Sequence, residues 1–275
     1  VLAVQRAKAV HKVGRIAIVD WDVHHGNSQE HAFLEDPGVL TVSVHQDNYY
    51  PPDSGHLAEN GRGAGAGTNI NIPLPPGSGH GAYLEAWSRV VVPAVRKFRP
   101  ELIIVSSGFD GSAVDPLGRM LCHSETYRAL ARMILSLADE ICGGRVVMLH
   151  EGGYSTAYVP NCGLAVLEEM SGQRTGFADP FLPVFENMGG QKLQPHQDQL
   201  ERGDEEEAER GADQQSADVL VVGAGGDLDP ARAALGEAVY DELGGSHGTL
   251  PSSISPTTRS WADWMSVFCF LTKAS

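Results

Sequence analysis

The chain has 275 residues, of which 42% are hydrophobic, so it can bury the core of a complete domain. Its formal net charge of −15 argues against a nucleic-acid-binding surface. No apolar run approaches the ~20 residues of a membrane span, and the first residues lack the pattern of a secretory signal. The 4 cysteines show no CxxC spacing. These features predict a cytoplasmic protein with free thiols, and neither nucleic acid nor a membrane as a direct partner.

The first residues alternate between helix and strand. Residues 1–12 are alanine-rich and amphipathic, and the apolar run Ile16–Val19 follows as a buried strand. A helix over Gln29–Leu34 and a strand over Val39–His45 continue the pattern. This alternation is typical of an α/β fold with a parallel sheet.

A long Gly- and Pro-rich loop over residues 46–81 surrounds a strand at Asn69–Leu74, and loops of this length are usually functional. An amphipathic helix is predicted for Gly81–Phe98 and another for Ser124–Ile141. Buried strands are predicted from Leu102 and from Arg145. The pattern thus predicts several strands of one parallel sheet.

Polar side chains follow the predicted strands. Asp20, Asp22 and His24 follow Ile16–Val19, and strand alternation would place them on one face. Asp110 follows the strand from Leu102, and Tyr154 follows a Gly-Gly turn. The carboxyl ends of parallel strands form the ligand-binding edge of such sheets. Two carboxylates and one imidazole leave a tetrahedral zinc one open position, as in catalytic sites. The alternatives are a polar strand end facing water and, for Tyr154, a core tyrosine in a turn.

Four motifs in order resemble the class II-like histone deacetylase family of the arginase/deacetylase fold, from Val1 to about Asn187. They are DWDVHHGN from Asp20, NIPLPPGSG from Asn71, SGFD from Ser107 with Asp115-Pro116-Leu117, and EGGY from Glu151. The resemblance implies an α/β, three-layer parallel sheet with helices on both faces, incomplete at the N-terminus. It also implies a zinc-dependent amidohydrolase that removes acetyl groups from lysine side chains of proteins or from acetylated polyamine-like substrates.

The resemblance also assigns roles to individual residues. Asp22, His24 and Asp110 would bind zinc, and Tyr154 would donate to the oxyanion. Tyr50 and Gly152 would line the acyl channel. A potassium ion would use Asp20, Ser43 and the backbone carbonyls of Asp22, His24 and Val44, and a second monovalent ion would lie near Phe33, Asp36 and Val39.

Other branches of the fold give alternatives. Arginase-like ureohydrolases with two manganese ions need further aspartates, and the corresponding positions here are Gly26 and Ser112. A single metal ion is therefore the better prediction. Acetylpolyamine and acetoin-utilisation hydrolases share the single-metal site, so the substrate stays open.

The chain also departs from the family pattern. The tandem histidines that act as general base lie upstream of the DxDxH strand in family members, and this chain starts after that point. His25 is predicted to be packed rather than to replace them. Because a general base contributes about 10²–10⁴ in rate, we expect impaired turnover. The alternative function is an inactive, metal-binding interaction module.

The last part of the chain has a different composition. Asp198–Asp218 contains 9 acidic and 2 basic residues, which predicts a solvated, disordered segment. We therefore predict a deacetylase-like catalytic domain over residues 1–187 and an acidic, disordered or aberrant tail over residues 188–275.

Overall fold

The computed structural model describes residues 1–195, and within them five parallel strands form a sheet in the order β3-β2-β1-β4-β5. The strands are β1 (Ile16–Asp20), β2 (Val39–Gln46), β3 (Asn69–Leu74), β4 (Leu102–Ser107) and β5 (Val146–His150). The α-helices are α1 (Leu2–His11), α2 (Asn27–Phe33), α3 (His80–Ala86), α4 (Val92–Phe98), α5 (Ser124–Cys142), α6 (Val159–Ser171) and α7 (Leu182–Phe185). The predictions for residues 196–275, including the acidic segment, lie outside the described residues.

Alternating side chains of the central strand β1 pack against helices on both faces of the sheet. Ile16 and Ile18 share a cluster with α1 and with Phe33 of α2. Ala17 and Val19 belong to the larger cluster that α3, α4, α5 and α6 complete. Strands covered on both faces are mostly apolar, which is why they could be recognised in the sequence. The predicted three-layer α/β architecture is confirmed.

The strand register determines which residues meet at the carboxyl edge of the sheet. Asp20 at the end of β1 lies opposite Ser43 on β2 and Ser106 on β4. The loops after β1, β4 and β5 leave the sheet at this same edge because all three strands are parallel. The segments containing Asp22, Asp110 and Tyr154 therefore start side by side.

The helix predicted over Gly81–Phe98 is interrupted in the structure. A π-helical turn, Trp87–Val91, separates α3 from α4, and Pro93 lies in the first turn of α4. Proline has no N–H for the helical ladder, so an uninterrupted helix would lose a hydrogen bond there. The wider turn keeps Trp87 and Val91 fully buried.

Chain packing continues past Asn187. Gln191 accepts a hydrogen bond from the His80 amide at 3.0 Å and donates to the Leu121 carbonyl at 2.7 Å. The predicted domain boundary at residue 187 stays a prediction. Cys122, Cys142 and Cys162 are free and buried, as predicted for the described cysteines. None of the helices within residues 1–195 has the length and hydropathy needed to cross a bilayer.

Candidate metal centre

The segment after β1 is a bend rather than a strand. β1 ends at Asp20, so the alternation predicted through His24 is wrong in its extent. Asp20 Oδ1 accepts the Asp22 amide at 2.9 Å, and Asp22 Oδ1 accepts the His24 amide at 2.8 Å. Aspartate side chains that bond to the backbone two residues on replace the ladder of a strand. These two turns place Asp22 and His24 beside each other.

Three side chains from two loops converge at this edge. Asp22, His24 and Asp110 each offer a ligand atom, and the three atoms lie within 4.8 Å of one another. His24 Nδ1 is 3.0 Å from Asp22 Oδ1 and 3.1 Å from Asp110 Oδ2. Asp110 is fully buried and Asp22 nearly so, whereas His24 is half-buried. One nitrogen and two carboxylate oxygens thus lie close together, and the His24 and Asp22 side chains are 21% and 12% exposed to solvent.

The remaining carboxylate oxygens are held by backbone amides. Asp110 Oδ1 accepts the Val23 N–H at 2.8 Å, and Asp22 Oδ2 accepts the Gly152 N–H at 2.8 Å. Each carboxylate therefore keeps its other oxygen towards His24. Hydrogen bonds thus connect the three loops that carry Asp22 and Val23, Asp110, and Gly152.

The electrostatics of the cluster favour a cation. Burial raises the pKa of Asp110 to about 6, helped by the charge of Asp22 and opposed by His24 and the Val23 amide. Burial by itself would lower the pKa of His24. The hydrogen bonds and charges of Asp110 and Asp22 outweigh burial and raise the pKa of His24 to about 10. Two carboxylates in one buried site repel each other unless a positive charge lies between them. The His24 ring faces both carboxylates through Nδ1.

Two glycines make room for this centre. A Cβ on Gly152 would lie 2.0 Å from Asp110 Oδ2, and one on Gly108 would lie 2.3 Å from Asp22 Oδ2. No other residue fits at these positions without moving a carboxylate. The donor set of one imidazole nitrogen and two carboxylate oxygens, with an open side, fits a catalytic zinc ion.

Aromatic side chains surround the opening. Tyr49 stacks on His24 at a centroid distance of 5.6 Å, and Tyr50 meets the same ring edge-on at 5.8 Å. Tyr154 is 50% exposed. Burial raises the pKa of Tyr154, and the charges of Asp110 and Asp22 raise it further, so its hydroxyl experiences the field of the cluster. Tyr49 and Gly108 were not assigned roles from the sequence.

Comparison with known proteins decides the family. The histone deacetylase domain family matches residues 1–170. The chain belongs to this family. A histone deacetylase-like amidohydrolase of Pseudomonas aeruginosa is 50% identical over 185 residues, which are 67% of this chain and 49% of that protein. Histone deacetylase clr3 of Schizosaccharomyces pombe is 42% identical over 166 residues, 58% of this chain and 24% of that protein. The chain thus spans about half or less of these curated relatives.

Solved structures agree with the family. The HD domain of HDA15 superposes with a TM-score of 0.58 at 31% identity, covering 70% of this chain and 53% of that one. The histone deacetylase Clr3 gives a TM-score of 0.57 at 29% identity, covering 75% of this chain and 40% of that one. The arginase/deacetylase fold predicted from the sequence is confirmed.

The residues expected to bind potassium lie next to the cluster of Asp22, His24 and Asp110, since Asp20 accepts the Asp22 backbone amide. Asp20 is 4% exposed, and its Oδ2 accepts a hydrogen bond from the side-chain Nε2 of Gln29 at 2.7 Å. Ser43 Oγ accepts the Gly26 amide at 3.2 Å and lies 2.9 Å from His45 Nδ1. Burial and the charge of Asp22 raise the pKa of Asp20 well above its usual value.

At the second expected monovalent-ion site, the Asp36 carboxylate already has hydrogen-bonding partners in the protein. Asp36 forms an ion pair with Lys8 at 2.6 Å and accepts the Gly38 amide at 2.9 Å. The Phe33 carbonyl accepts the Asp36 amide at 2.9 Å, and the Asp36 carbonyl accepts the Val39 amide at 3.1 Å. These contacts hold the turn between α2 and β2.

His25 is packed, as predicted. It is 5% exposed, and its ring nitrogens lie 3.0 Å from Ser54 Oγ and 3.1 Å from Glu30 Oε2. Glu30 also accepts from Asn69 and Asn71 on β3, at 2.7 and 2.8 Å. His25 therefore connects the tyrosine-bearing loop to the sheet and does not face the ligand cluster.

Proposed function

We propose that this chain contains the zinc-binding part of a deacetylase that hydrolyses the amide bond of acetylated lysine side chains or related acetylated amines. The observation that supports it most is the convergence of Asp22, His24 and Asp110 beside Gly152, whose missing side chain leaves room for the two carboxylates. Family membership supports the same reaction class. Protein-bound acetyl-lysine and acetylated polyamines are both candidate substrates.

Asp22, His24 and Asp110 would hold the zinc. A zinc ion in a three-ligand site polarises a carbonyl and activates water near neutral pH. The protein's own contribution is orientation: the Val23 and Gly152 amides fix one oxygen of each carboxylate, so that the other oxygen faces His24 Nδ1. Such outer contacts commonly determine metal affinity.

Tyr154 would act as the hydroxyl donor. Its raised pKa keeps the phenol protonated near neutral pH. A protonated hydroxyl near the centre can donate a hydrogen bond to the acetyl oxygen as negative charge develops there. Tyr50 and Gly152 would line the channel for the acylated side chain, and we add Tyr49, which stacks on His24.

Asp20 and Ser43 would bind potassium behind the zinc. A buried carboxylate without a counter-charge is costly, and burial together with the neighbouring Asp22 raises the pKa of Asp20. A monovalent cation between β1 and β2 would offset this repulsion. The proposal for zinc does not depend on it.

The contacts of His24 and His25 bear on proton transfer. His24 Nδ1 faces the two carboxylates, and both His25 ring nitrogens have partners, so this pair does not supply the general base. We therefore expect these 275 residues on their own to turn over about 10²–10⁴ more slowly than a chain with the upstream histidine pair. A metal-binding interaction module without turnover is the second candidate function.

The test combines zinc analysis with a deacetylase assay. The chain would be loaded with zinc and assayed on an acetyl-lysine fluorogenic substrate and on an acetylated diamine, with and without the upstream residues restored. Tyr154→Phe and Asp110→Asn are the informative variants, and Glu101→Ala at the opposite sheet edge is the control.

The outcomes separate the candidates. Bound zinc with turnover that rises when the upstream residues are restored, and falls with Tyr154→Phe, supports the deacetylase. Bound zinc without turnover in either form supports the interaction module. A chain that binds no zinc, or that binds it equally with Asp110→Asn, contradicts the proposed centre.

A further inference from the structure

Asp115 is a buried carboxylate in the loop between β4 and α5. It is 7% exposed. Its Oδ2 accepts the backbone N–H groups of Tyr154 at 2.6 Å and Ser155 at 3.2 Å, and its Oδ1 accepts the Leu117 N–H at 2.9 Å. One side chain therefore connects the loop that follows Asp110 to the turn that presents Tyr154.

We propose that Asp115 is a positioning residue that holds Tyr154 in place for hydrogen bonding at the metal centre, a role that rests on the proposed deacetylase function. The carboxylate acts through the backbone of Tyr154 and does not itself touch the substrate.

Packing covers only half of the surface of Tyr154, so the position of its side chain depends also on the backbone that carries it. Gly153 precedes it with φ +134, a conformation that only glycine adopts readily. Gly152 is fixed before this pivot by Asp22 and by the Phe109 amide, which donates to its carbonyl at 2.8 Å. Among the described contacts, Asp115 provides the corresponding anchor after the pivot.

The loop of Asp115 also packs against Asp110. A Cβ on Gly118 would lie 2.1 Å from the Asp110 carbonyl oxygen, so the loop folds directly onto this ligand. The Asp115 amide donates to the Ser112 carbonyl at 3.1 Å, which closes a turn just after Asp110. Asp115 thus sets the spacing between a metal ligand and the hydroxyl donor.

A carboxylate suits this position better than an amide. Three N–H groups point at its two oxygens, whereas asparagine offers one oxygen and would turn its own NH₂ towards a donor. Burial raises the pKa of Asp115, and the Tyr154, Leu117 and Ser155 amides oppose that rise. Hydrogen bonds to a charged acceptor are also stronger than neutral ones.

The test is a double-mutant cycle on the affinity of the zinc-loaded chain for a short alkyl hydroxamate. This probe chelates zinc and offers oxygens to Tyr154, and its binding does not need a general base. Tyr154→Phe should weaken binding about 10-fold, as expected for one strong hydrogen bond. Asp115→Ala should weaken it by a similar factor, and Asp115→Asn by less.

The decisive measurement is Asp115→Ala in the Tyr154→Phe background. If Asp115 acts through Tyr154, the second substitution should change affinity less than about 2-fold, because coupled residues are not additive. Zinc content and melting curves are measured for every variant, and Asp115→Asn replaces Asp115→Ala in the cycle if the alanine variant does not fold. The matched control is Glu101→Ala, which removes another carboxylate oxygen that accepts two successive amides, far from the site.

Three results would overturn the proposal: an unchanged affinity in Asp115→Ala, an equal loss in both backgrounds, or loss of zinc from Asp115→Asn. The last two would mean that the carboxylate supports the whole centre rather than Tyr154. If the unmodified chain bound neither zinc nor hydroxamate, the proposed function would fail instead.

Discussion

The two edges of the sheet use the same hydrogen-bonding device in opposite environments. At the amino edge, Glu101 Oε1 accepts the amides of Gly14 and Arg15 at 3.1 and 3.0 Å, and Glu101 is exposed. At the carboxyl edge, Asp115 Oδ2 accepts two successive amides in the same way, but Asp115 is buried. Solvent can replace the first set of bonds more readily than the second, which is partly buried.

The two edges of the sheet also differ in how deeply their charged side chains are buried. The amino-edge ion pair Lys8–Asp36 has both side chains about one-third exposed. At the carboxyl edge Asp20, Asp22 and Asp110 are buried close together. Burial of like charges is unfavourable for folding alone, which supports the cation site proposed above. The carboxyl edge thus buries carboxylates that folding alone disfavours, whereas the charged pair at the amino edge is partly exposed.

The largest effect should come from Asp110→Ala. This change removes a ligand and leaves the Val23 amide without its buried acceptor, so zinc affinity should fall by more than the roughly 10–100-fold typical of outer contacts. Zinc competition with a chromophoric chelator measures it. Glu101→Ala at the amino edge should retain full zinc affinity, and equal losses in both variants would break the comparison.

Gly152→Ala should have the next largest effect. The new methyl group would need the space of Asp110 Oδ2, so the carboxylate must move and zinc affinity should fall on the order of 10–100-fold. Gly189→Ala is the matched control, since a Cβ there meets nothing within 4 Å. Unchanged zinc binding by Gly152→Ala in the same titration would contradict the close approach of Gly152 to the Asp110 carboxylate.

A smaller effect should appear as pH dependence of stability through His123, which precedes α5. Burial and the neighbouring His80 lower the pKa of His123 to about 4, with Asp179 opposing. The unfolded chain takes up this proton near pH 6.5, whereas the folded chain does not. Stability is therefore complete above about pH 6.5 and lost as pH falls, by at most about 1.4 kcal/mol per pH unit.

Melting curves between pH 7 and pH 5 measure this dependence. His123→Asn removes the titrating ring and keeps a good helix-capping residue, so its melting temperature should depend less steeply on pH. If the melting temperatures of the two proteins changed equally with pH, His123 would not be the source of the pH dependence. The comparison uses slopes, so a constant stability difference does not affect it.

The smallest effect is expected at the amino edge. Lys8→Ala breaks the ion pair with Asp36, and exposed pairs contribute about 0–1 kcal/mol. Urea denaturation should give a free energy of unfolding within about 1 kcal/mol of the unmodified chain. A loss of several kcal/mol would mean that the amino edge is as tightly coupled as the carboxyl edge.

Local pattern alone was sufficient for most of the elements. The strand Asn69–Leu74 has the predicted bounds, and the helix from Ser124 ends one residue later than predicted, at Cys142. Buried strands and amphipathic helices can be recognised from the periodicity of their apolar side chains. This periodicity is a property of each segment and does not depend on the rest of the chain. The positions of Asp22, His24 and Asp110 after strand ends likewise predicted the edge where these three side chains meet.

Tertiary structure decided how those residues meet. A bend after Asp20, rather than strand alternation, brings Asp22 towards His24, and the parallel register places Asp110 beside them. The anchoring of Tyr154 by Asp115 and the stacking of Tyr49 on His24 depend on loops that close across the sheet edge. The sequence alone shows which ligand-type side chains each loop carries, because it lists the residues that follow each predicted strand. Only the folded chain determines which atoms come within bonding distance, because that depends on the register of distant strands.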